Sequence, residues 1–335
     1  MEQLGFDGMP RRLYACTPTR LSTWLDCPRR YRMSYLDRPA PPKGSPWAHN
    51  SLGASVHNAL ASWWRLPRRE RTVTAAGNLL DRGWLADGFA GPAQSEAHRQ
   101  RCRQMVETYV AGLDPAAEPA GVERTVATRS DLIAVSGRID RLDDRRLIHS
   151  APGVQAAGEL VVVDYKTGRY RPTVDDVRTS LPLALYALGA ARVLRRPCRR
   201  VELHHLPSGS VLGWDHTQET LARQLSRAED IAAECAAADE RYHAAGGSPP
   251  RVAAAAGGSG GSPPRVAAGL TGADTDEVFP PRPGPGCGWC DFRALCPEGS
   301  AASVRRRPWD GLEDDAELDP SAVPAEPLAT PEFPA

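Results

Sequence analysis

The pattern of apolar and polar positions changes character twice along the chain. Leu21, Trp24 and Leu25 share one face at helical spacing, and Leu52, Val56, Ala59, Leu60, Trp63 and Trp64 do so again over Leu52 to Leu66. Thr17 or Thr19 can cap the first of these helices. Residues 70–113 read as two more helices, ended by Pro115 to Pro119. The period then shortens. Val122 to Thr128 and Leu132 to Ile139 read as paired strands joined near Arg129-Ser130-Asp131, and Arg146 to Ser150 as a short strand. Leu160 to Lys166 follows, its β-branched run marking a buried strand. Asp175 to Leu194 returns to helix, with Leu181, Leu185, Leu188 and Ala191 inward and Pro182 in its early part. Val201 to Leu206 and Ser210 to Asp215 make a hairpin around Pro207-Ser208-Gly209, and Thr217 to Ala244 is a long Ala-rich helix.

The buried strand ends in Val161-Val162-Val163-Asp164-Tyr165-Lys166-Thr167-Gly168. Side chains alternate along a strand, so Asp164 and Lys166 share a face and Tyr165 lies opposite. Two charges on such a strand read either as a solvated strand end or as a metal-binding carboxylate beside a catalytic lysine. Asp140 closes the preceding strand, and carboxylates on neighbouring strand ends can share Mg²⁺ or Mn²⁺, which take oxygen ligands. Lys166 can orient an attacking water or stabilise charge on a phosphate. His57, read alone, is a satisfied core histidine beside an apolar stripe; in this company it can add an imidazole ligand. The set describes metal-assisted hydrolysis of a phosphodiester.

Charge and cysteine usage refine this reading. The 335 residues contain 41 Lys+Arg and 41 Asp+Glu, so net charge names no partner. Arginines instead cluster at Arg11 to Arg32, at Arg195 to Arg200 and at Arg305 to Arg307, patches that suit phosphates or solvent equally. No apolar run approaches the roughly 20 residues that cross a bilayer, and no signal-peptide core opens the chain. The expectation is a cytoplasmic protein with reduced thiols and no membrane partner. Cys287, Cys290 and Cys296 form C-x2-C-x5-C, with Cys27 far upstream, and four thiolates can hold zinc or a 4Fe-4S cluster. Cys16, Cys102, Cys198 and Cys235 lack such spacing and read as core or surface thiols. Gly246 to Ala254 recurs almost unchanged as Gly260 to Ala268, a flexible linker lengthened by duplication. No Walker loop occurs, so a helicase motor, if one is used, is a separate polypeptide.

Gly53-Ala54-Ser55-Val56-His57, Gly137-Arg138-Ile139-Asp140, Asp164-Tyr165-Lys166-Thr167-Gly168 and Tyr186 together resemble the PD-(D/E)xK nuclease superfamily. Within it the chain is most similar to RecB-family exonucleases, including AddB and the CRISPR-associated adaptation nucleases, over Thr17 to Pro297. The resemblance implies an α/β fold with a restriction-endonuclease-like core, a mixed central sheet flanked by helices, plus an N-terminal helical region and a C-terminal Fe-S segment. It implies His57, Asp140, Asp164 and the Tyr165 carbonyl as metal ligands, Lys166 as the catalytic lysine, and Glu123 where relatives often carry an acid. It also implies a 4Fe-4S cluster on Cys27, Cys287, Cys290 and Cys296 rather than zinc, and Tyr186, Arg29 and Arg30 as DNA-handling residues. The expected organisation is an irregular segment over 1–16 and a nuclease domain over 17–245 with a helical insertion near 50–114. A linker over 246–269, a cysteine segment over 270–308 and a disordered acidic tail over 309–335 complete it. The expected activity is a Mg²⁺- or Mn²⁺-dependent exonuclease on single-stranded DNA or DNA ends, in repair or recombination. Pro182 stands where the family has Gln, four residues before Tyr186, and this favours an alternative: a non-catalytic, cluster-stapled DNA-binding scaffold of a helicase–nuclease complex.

Overall fold

The structure, a computed structural model, describes residues 13–145, 158–245 and 272–312. The expected strand at 146–150, the duplicated segment 246–269 and the tail beyond Leu312 lie outside the described residues. Helix α1 (Pro18–Asp26) starts at Thr17, whose side chain accepts from the Arg20 N–H, and α2 (Pro28–Tyr35) follows after Cys27. Helices α3 (Ala48–Trp64), α4 (Val73–Arg82) and α5 (Pro92–Ala111) form the expected helical region. Strands β2 (Gly121–Arg129), β3 (Ile133–Arg145) and β4 (Glu159–Lys166) then lay down the sheet centre, and β3 runs well past Ile139.

Two expectations change. Tyr14–Cys16, read as the end of an irregular segment, forms β1 and pairs in parallel with Ile133–Val135 of β3. The single helix expected over Asp175 to Leu194 is two, α6 (Val174–Thr179) and α7 (Leu181–Leu194), broken at the extended residue Ser180. Pro182 is the cause. It has no N–H for a bond back to residue 178, and its ring disfavours helical backbone just before it, so it is accommodated only in a first turn. The Ser180 side chain caps that turn by accepting from Leu183 N–H.

Strands β5 (Cys198–His205) and β6 (Ser210–Asp215) form the predicted hairpin, closed through Gly209 at φ 68°, a left-handed conformation that glycine adopts without strain. Helix α8 (Gln218–Ala244) is capped by Thr217. The last segment contains α9 (Gly272–Val278), short turns through Pro285–Trp289 and Arg293–Leu295, and α10 (Pro297–Ala302).

The sheet is mixed, in the order β1-β3-β4-β5-β6, with β2 also pairing with β3. The β1–β3 and β4–β5 pairs are parallel; β2–β3, β3–β4 and β5–β6 are antiparallel. Alternation along β4 divides the core. Val161, Val163 and Tyr165 pack with Val56, Leu60, Trp63 and Val106 of α3 and α5. Leu160 and Val162 pack with Leu183, Ala184 and Ala187 of α7. A third cluster ties α1 and α2 to α8, with Leu21, Trp24 and Tyr31 against Ala228, Ile231 and Cys235. Among the described residues no helix is long and apolar enough to cross a membrane.

Candidate active site

The C-terminal end of β4, the middle of β3 and the middle of α3 meet at one place. From α3, His57 turns toward the sheet, its Nδ1 3.2 Å from Asp140 Oδ1. The other Asp140 oxygen accepts from the Tyr165 N–H at 2.9 Å, which ties β3 to β4 near the end of β4. This is not the satisfied core histidine of the plainer reading, because the ring is only partly buried and its partner is a partly exposed carboxylate in the middle of β3. Burial alone would lower the His57 pKa, but the bond to Asp140 and the charges of Asp140, Asp164 and Glu123 more than offset that and raise it.

Glu123 completes the cluster. Ligand atoms of His57, Glu123 and Asp140 all lie within 4.8 Å of one another. In the β2–β3 ladder Val122 pairs with Arg141 and Arg124 with Ile139, so Glu123 faces Asp140 across the hairpin. Its backbone is left-handed, with φ 49°, a conformation that costs a non-glycine residue on the order of 1–3 kcal/mol. Strand alternation also slips here. Ile139 and Leu142, three residues apart, both enter the α7-side core, whereas a regular strand would place them on opposite faces. The irregularity aims both acids at one point. Counting outward from the predicted turn, with Thr128 opposite Leu132, would have placed 123 opposite 137; the observed register, with Arg129 opposite Ala134, is what brings Glu123 opposite Asp140.

Asp164 and Lys166 share a face, as alternation required, with the ammonium 2.7 Å from Asp164 Oδ2. This oxygen is buried, and the Lys166 ammonium is its ion-pair partner. Burial, then the nearby Asp140 charge, raise the Asp164 pKa against the lowering effect of Lys166. Asp164 lies outside the close three-residue group and beside it. The fit to a cation is good. Opposed ligands of an octahedral ion with bonds of about 2.1 Å are roughly 4.2 Å apart, and the three ligand atoms lie within 4.8 Å of one another. One imidazole and several carboxylates suit Mn²⁺ and Mg²⁺ better than a thiol-seeking metal.

Tyr165 points away, into the α3–α5 core, where its hydroxyl accepts from Arg141 at 3.2 Å. Tyr186 of α7 is half-buried near the carboxylates, and burial, with the charges of Asp164 and Asp140, pushes its pKa up to about 12. Its ring lies over Gly137, where a Cβ would come within 2.5 Å of Tyr186 Cε1. Arg29 and Arg30 do not reach this place. Arg29 is 5% exposed; its guanidinium is held by Glu298, by Asp276 at 2.8 Å and against Cys296 Sγ at 3.3 Å. Arg30 lies 3.7 Å from Asp26. Both line a separate cavity of about 400 Å³ into which Cys27, Cys287, Cys290 and Cys296 all open. The other four cysteines, expected as core or surface thiols, are all buried, and none forms a disulfide among the described residues. Of the arginines at 195–200, Arg196 binds Asp144, and Arg200 binds Glu202 and Asp215.

A family model described as the PD-(D/E)XK nuclease superfamily matches residues 15–297. The chain belongs to this superfamily. Its members are nucleases that hydrolyse phosphodiester bonds with divalent metal ions, which makes DNA the substrate class. Among solved structures, the chain is similar to one from Eubacterium rectale whose name assigns it provisionally as an exonuclease. That match has 10% identity and a TM-score of 0.38 over 72% of this chain and 88% of the other. No curated protein matches the chain.

Proposed function

We propose that this PD-(D/E)XK protein is a RecB-type, AddB-like deoxyribonuclease that uses Mg²⁺ or Mn²⁺ on single-stranded DNA or DNA ends, as an exonuclease in repair, recombination or related DNA processing. The observation that carries this reading is the convergence of His57, Glu123 and Asp140 within 4.8 Å, next to the Asp164–Lys166 pair. His57, Asp140 and Asp164, with the Tyr165 carbonyl, are the ligands, and Glu123 joins them. A divalent cation held by these residues would polarise the scissile phosphate and lower the pKa of the attacking water. Lys166, beside Asp164, stabilises negative charge developing on the phosphate oxygens. Asp140 keeps one oxygen fixed by the Tyr165 N–H, so its other oxygen and the His57 ring have little freedom to reorient. Tyr186 handles DNA from the α7 side.

Cys27, Cys287, Cys290 and Cys296 are proposed to hold a 4Fe-4S cluster. All four open into one cavity of about 400 Å³, which Arg29, Arg30, Met33, Arg282 and Phe292 also line. Reduced thiols and such a cluster suit the cytoplasm. Pro182, in the first turn of α7 where the family has Gln, supports a second reading. In it the chain is a cluster-stapled scaffold in a complex whose helicase is another polypeptide.

End-labelled single-stranded DNA incubated with Mn²⁺ tests these readings. Metal-dependent cleavage is expected, with a loss of about 10²-fold or more in Lys166→Ala and in Asp164→Ala. Cleavage unchanged in both variants would remove the site assignment. Tight binding without cleavage of any strand form would favour the scaffold.

A further inference from the structure

A second, larger recess begins where the catalytic strand ends. It has a volume of about 950 Å³ and reaches from Lys166-Thr167-Gly168 between the start of α3, α5 and a wall made by Trp289 of the cysteine segment with Gly311 and Leu312 just beyond it. Arg101, Lys166, Arg169 and Arg171 line it, all exposed, and no Asp or Glu does among the described residues. In a chain with equal numbers of acidic and basic residues, that is a local separation of charge. The carboxylates gather at Glu123, Asp140 and Asp164, and the cations gather beside them in the recess. Such an arrangement focuses a polyanion toward the site.

The recess is also built to keep its shape at the critical end. His205 Nε2 donates to the Gly168 carbonyl at 2.8 Å, while its Nδ1 accepts from the Ser208 hydroxyl at 2.7 Å. The turn that carries Thr167 and Gly168 is therefore pinned to the β5–β6 hairpin. Gly53 of α3 faces this turn, and a Cβ there would come within 3.3 Å of Thr167 Oγ1. The recess volume of about 950 Å³ leaves room for nucleotides of one strand.

Resting on the nuclease reading, we infer that this recess is the seat of the single strand that flanks the scissile phosphate, with Arg101, Arg169 and Arg171 on its phosphates. The strand runs from the recess past Lys166 to the carboxylate cluster, and its bases face the wall that Trp289 helps to form. The three arginines come from α5 and from the turn after β4, so the track is made by two elements that also carry or border the site.

The test is binding of a fluorescein-labelled oligothymidylate in excess EDTA, where no cleavage occurs, at a series of salt concentrations. Arg101→Ala/Arg169→Ala/Arg171→Ala is expected to bind at least tenfold more weakly. The slope of log affinity against log salt should fall by about 2, from three contacts at about 0.7 each. Each single variant should lower it by about 0.7. Arg223→Ala/Arg227→Ala, with a similar charge change on the exposed side of α8, should leave affinity and slope near those of the parent. The triple variant changes only exposed side chains, and an unchanged unfolding midpoint verifies that it folds. A triple variant that binds with the parent's slope overturns the inference, and equal losses for a duplex of the same length overturn the single-strand assignment. The two readings fail separately. A chain that never cuts DNA but loses its salt slope on these substitutions keeps the recess and loses the nuclease; a chain that cuts and keeps its slope does the reverse.

Discussion

Gly137→Ala gives a direct test of why a glycine precedes the Arg138-Ile139-Asp140 stretch. The backbone at Gly137 lies within reach of the Tyr186 ring on α7. A Cβ would sit 2.5 Å from Tyr186 Cε1, 3.3 Å from Cδ1 and 3.4 Å from Pro18 Cδ. Ordinary carbon contacts fall near 3.5–4 Å, so about 1 Å has to be absorbed. The obstacle is a rigid ring on a packed helix, so the strand or the helix has to move. Overpacking of this kind costs about 1–3 kcal/mol. Against it, Ala in a strand recovers roughly 0.5–1 kcal/mol of the backbone entropy that Gly loses on folding. The expected net loss in the parent is therefore about 1–2 kcal/mol. In a Tyr186→Ala background the steric term vanishes, and the same substitution should be neutral or stabilising by about 0.5 kcal/mol. Urea unfolding of the four proteins of the cycle, followed by tryptophan fluorescence, measures a coupling near 2 kcal/mol. Tyr186→Phe should retain the penalty, because the contact is with a ring carbon and not with the hydroxyl. An equal cost with and without the ring would refute the packing argument.

Three further predictions follow from named contacts. His57→Ala should weaken Mn²⁺ binding at least tenfold by isothermal titration, and unchanged affinity would exclude His57 from the ligand set. Glu202 is fully buried and held by His204 at 3.0 Å, by Arg145 at 2.6 Å and by Arg200 at 2.8 Å. Burial would raise its pKa, but these three partners bring it well below the usual carboxylate range. A depressed carboxylate stabilises the fold above its unfolded value of about 4.3, and that contribution is lost as pH falls through the folded value. Glu202→Gln should thus cost about 3–5 kcal/mol at pH 7 and flatten the acid end of the stability curve below about pH 4; a parallel acid loss in both proteins would contradict this. Cys290→Ser in anaerobically purified protein should abolish bound iron, acid-labile sulfide and the broad visible absorbance together, whereas an equimolar zinc content in the parent would replace the cluster by a zinc site.

Much of this architecture was legible because it is local. The Val161-Val162-Val163 run, the 3.6-residue stripe from Leu52 to Trp64 and the Pro207-Ser208-Gly209 turn each determine an element from neighbouring residues alone, and each lies where alternation and periodicity put it. Strand alternation also put Asp164 and Lys166 on one face. What was not legible depends on partners far along the chain. A three-residue strand such as Tyr14–Cys16 shows no period and exists because β3 offers it an edge. Arg29 looks like any surface arginine until Asp276 and Glu298, some 250 residues later, close on its guanidinium. Glu123 needed a register. The break at Ser180 was local and still escaped the periodicity, since Leu181, Leu185 and Leu188 remain in phase through a proline that resets the helix beneath them.

The two faces of β4 explain how a strand end can carry opposite charges without wandering. Behind Asp164 and Lys166, Tyr165 is anchored by a run of buried polar groups. The His204 Nε2–H donates to Glu202, Tyr109 O–H donates to His204 Nδ1 at 2.7 Å, and Arg141 donates to Tyr109 at 3.1 Å and to Tyr165 at 3.2 Å. Arg141 is 3% exposed, and beyond these bonds it has Asp143 at 2.8 Å and the ring of Trp64 at 5.3 Å. Burying a guanidinium is costly, and an apolar residue of the same size often gives equal or better stability, so raw stability is a poor reason for this run. Register is a better one. Apolar contacts among Val161, Val163, Leu60 and Val106 would tolerate a slide of β4, because they have no direction. A slide by one residue would turn Asp164 and Lys166 into the core and leave Arg141, Tyr109 and His204 without partners in a dry interior. The directional groups thus penalise the one error that would destroy the site.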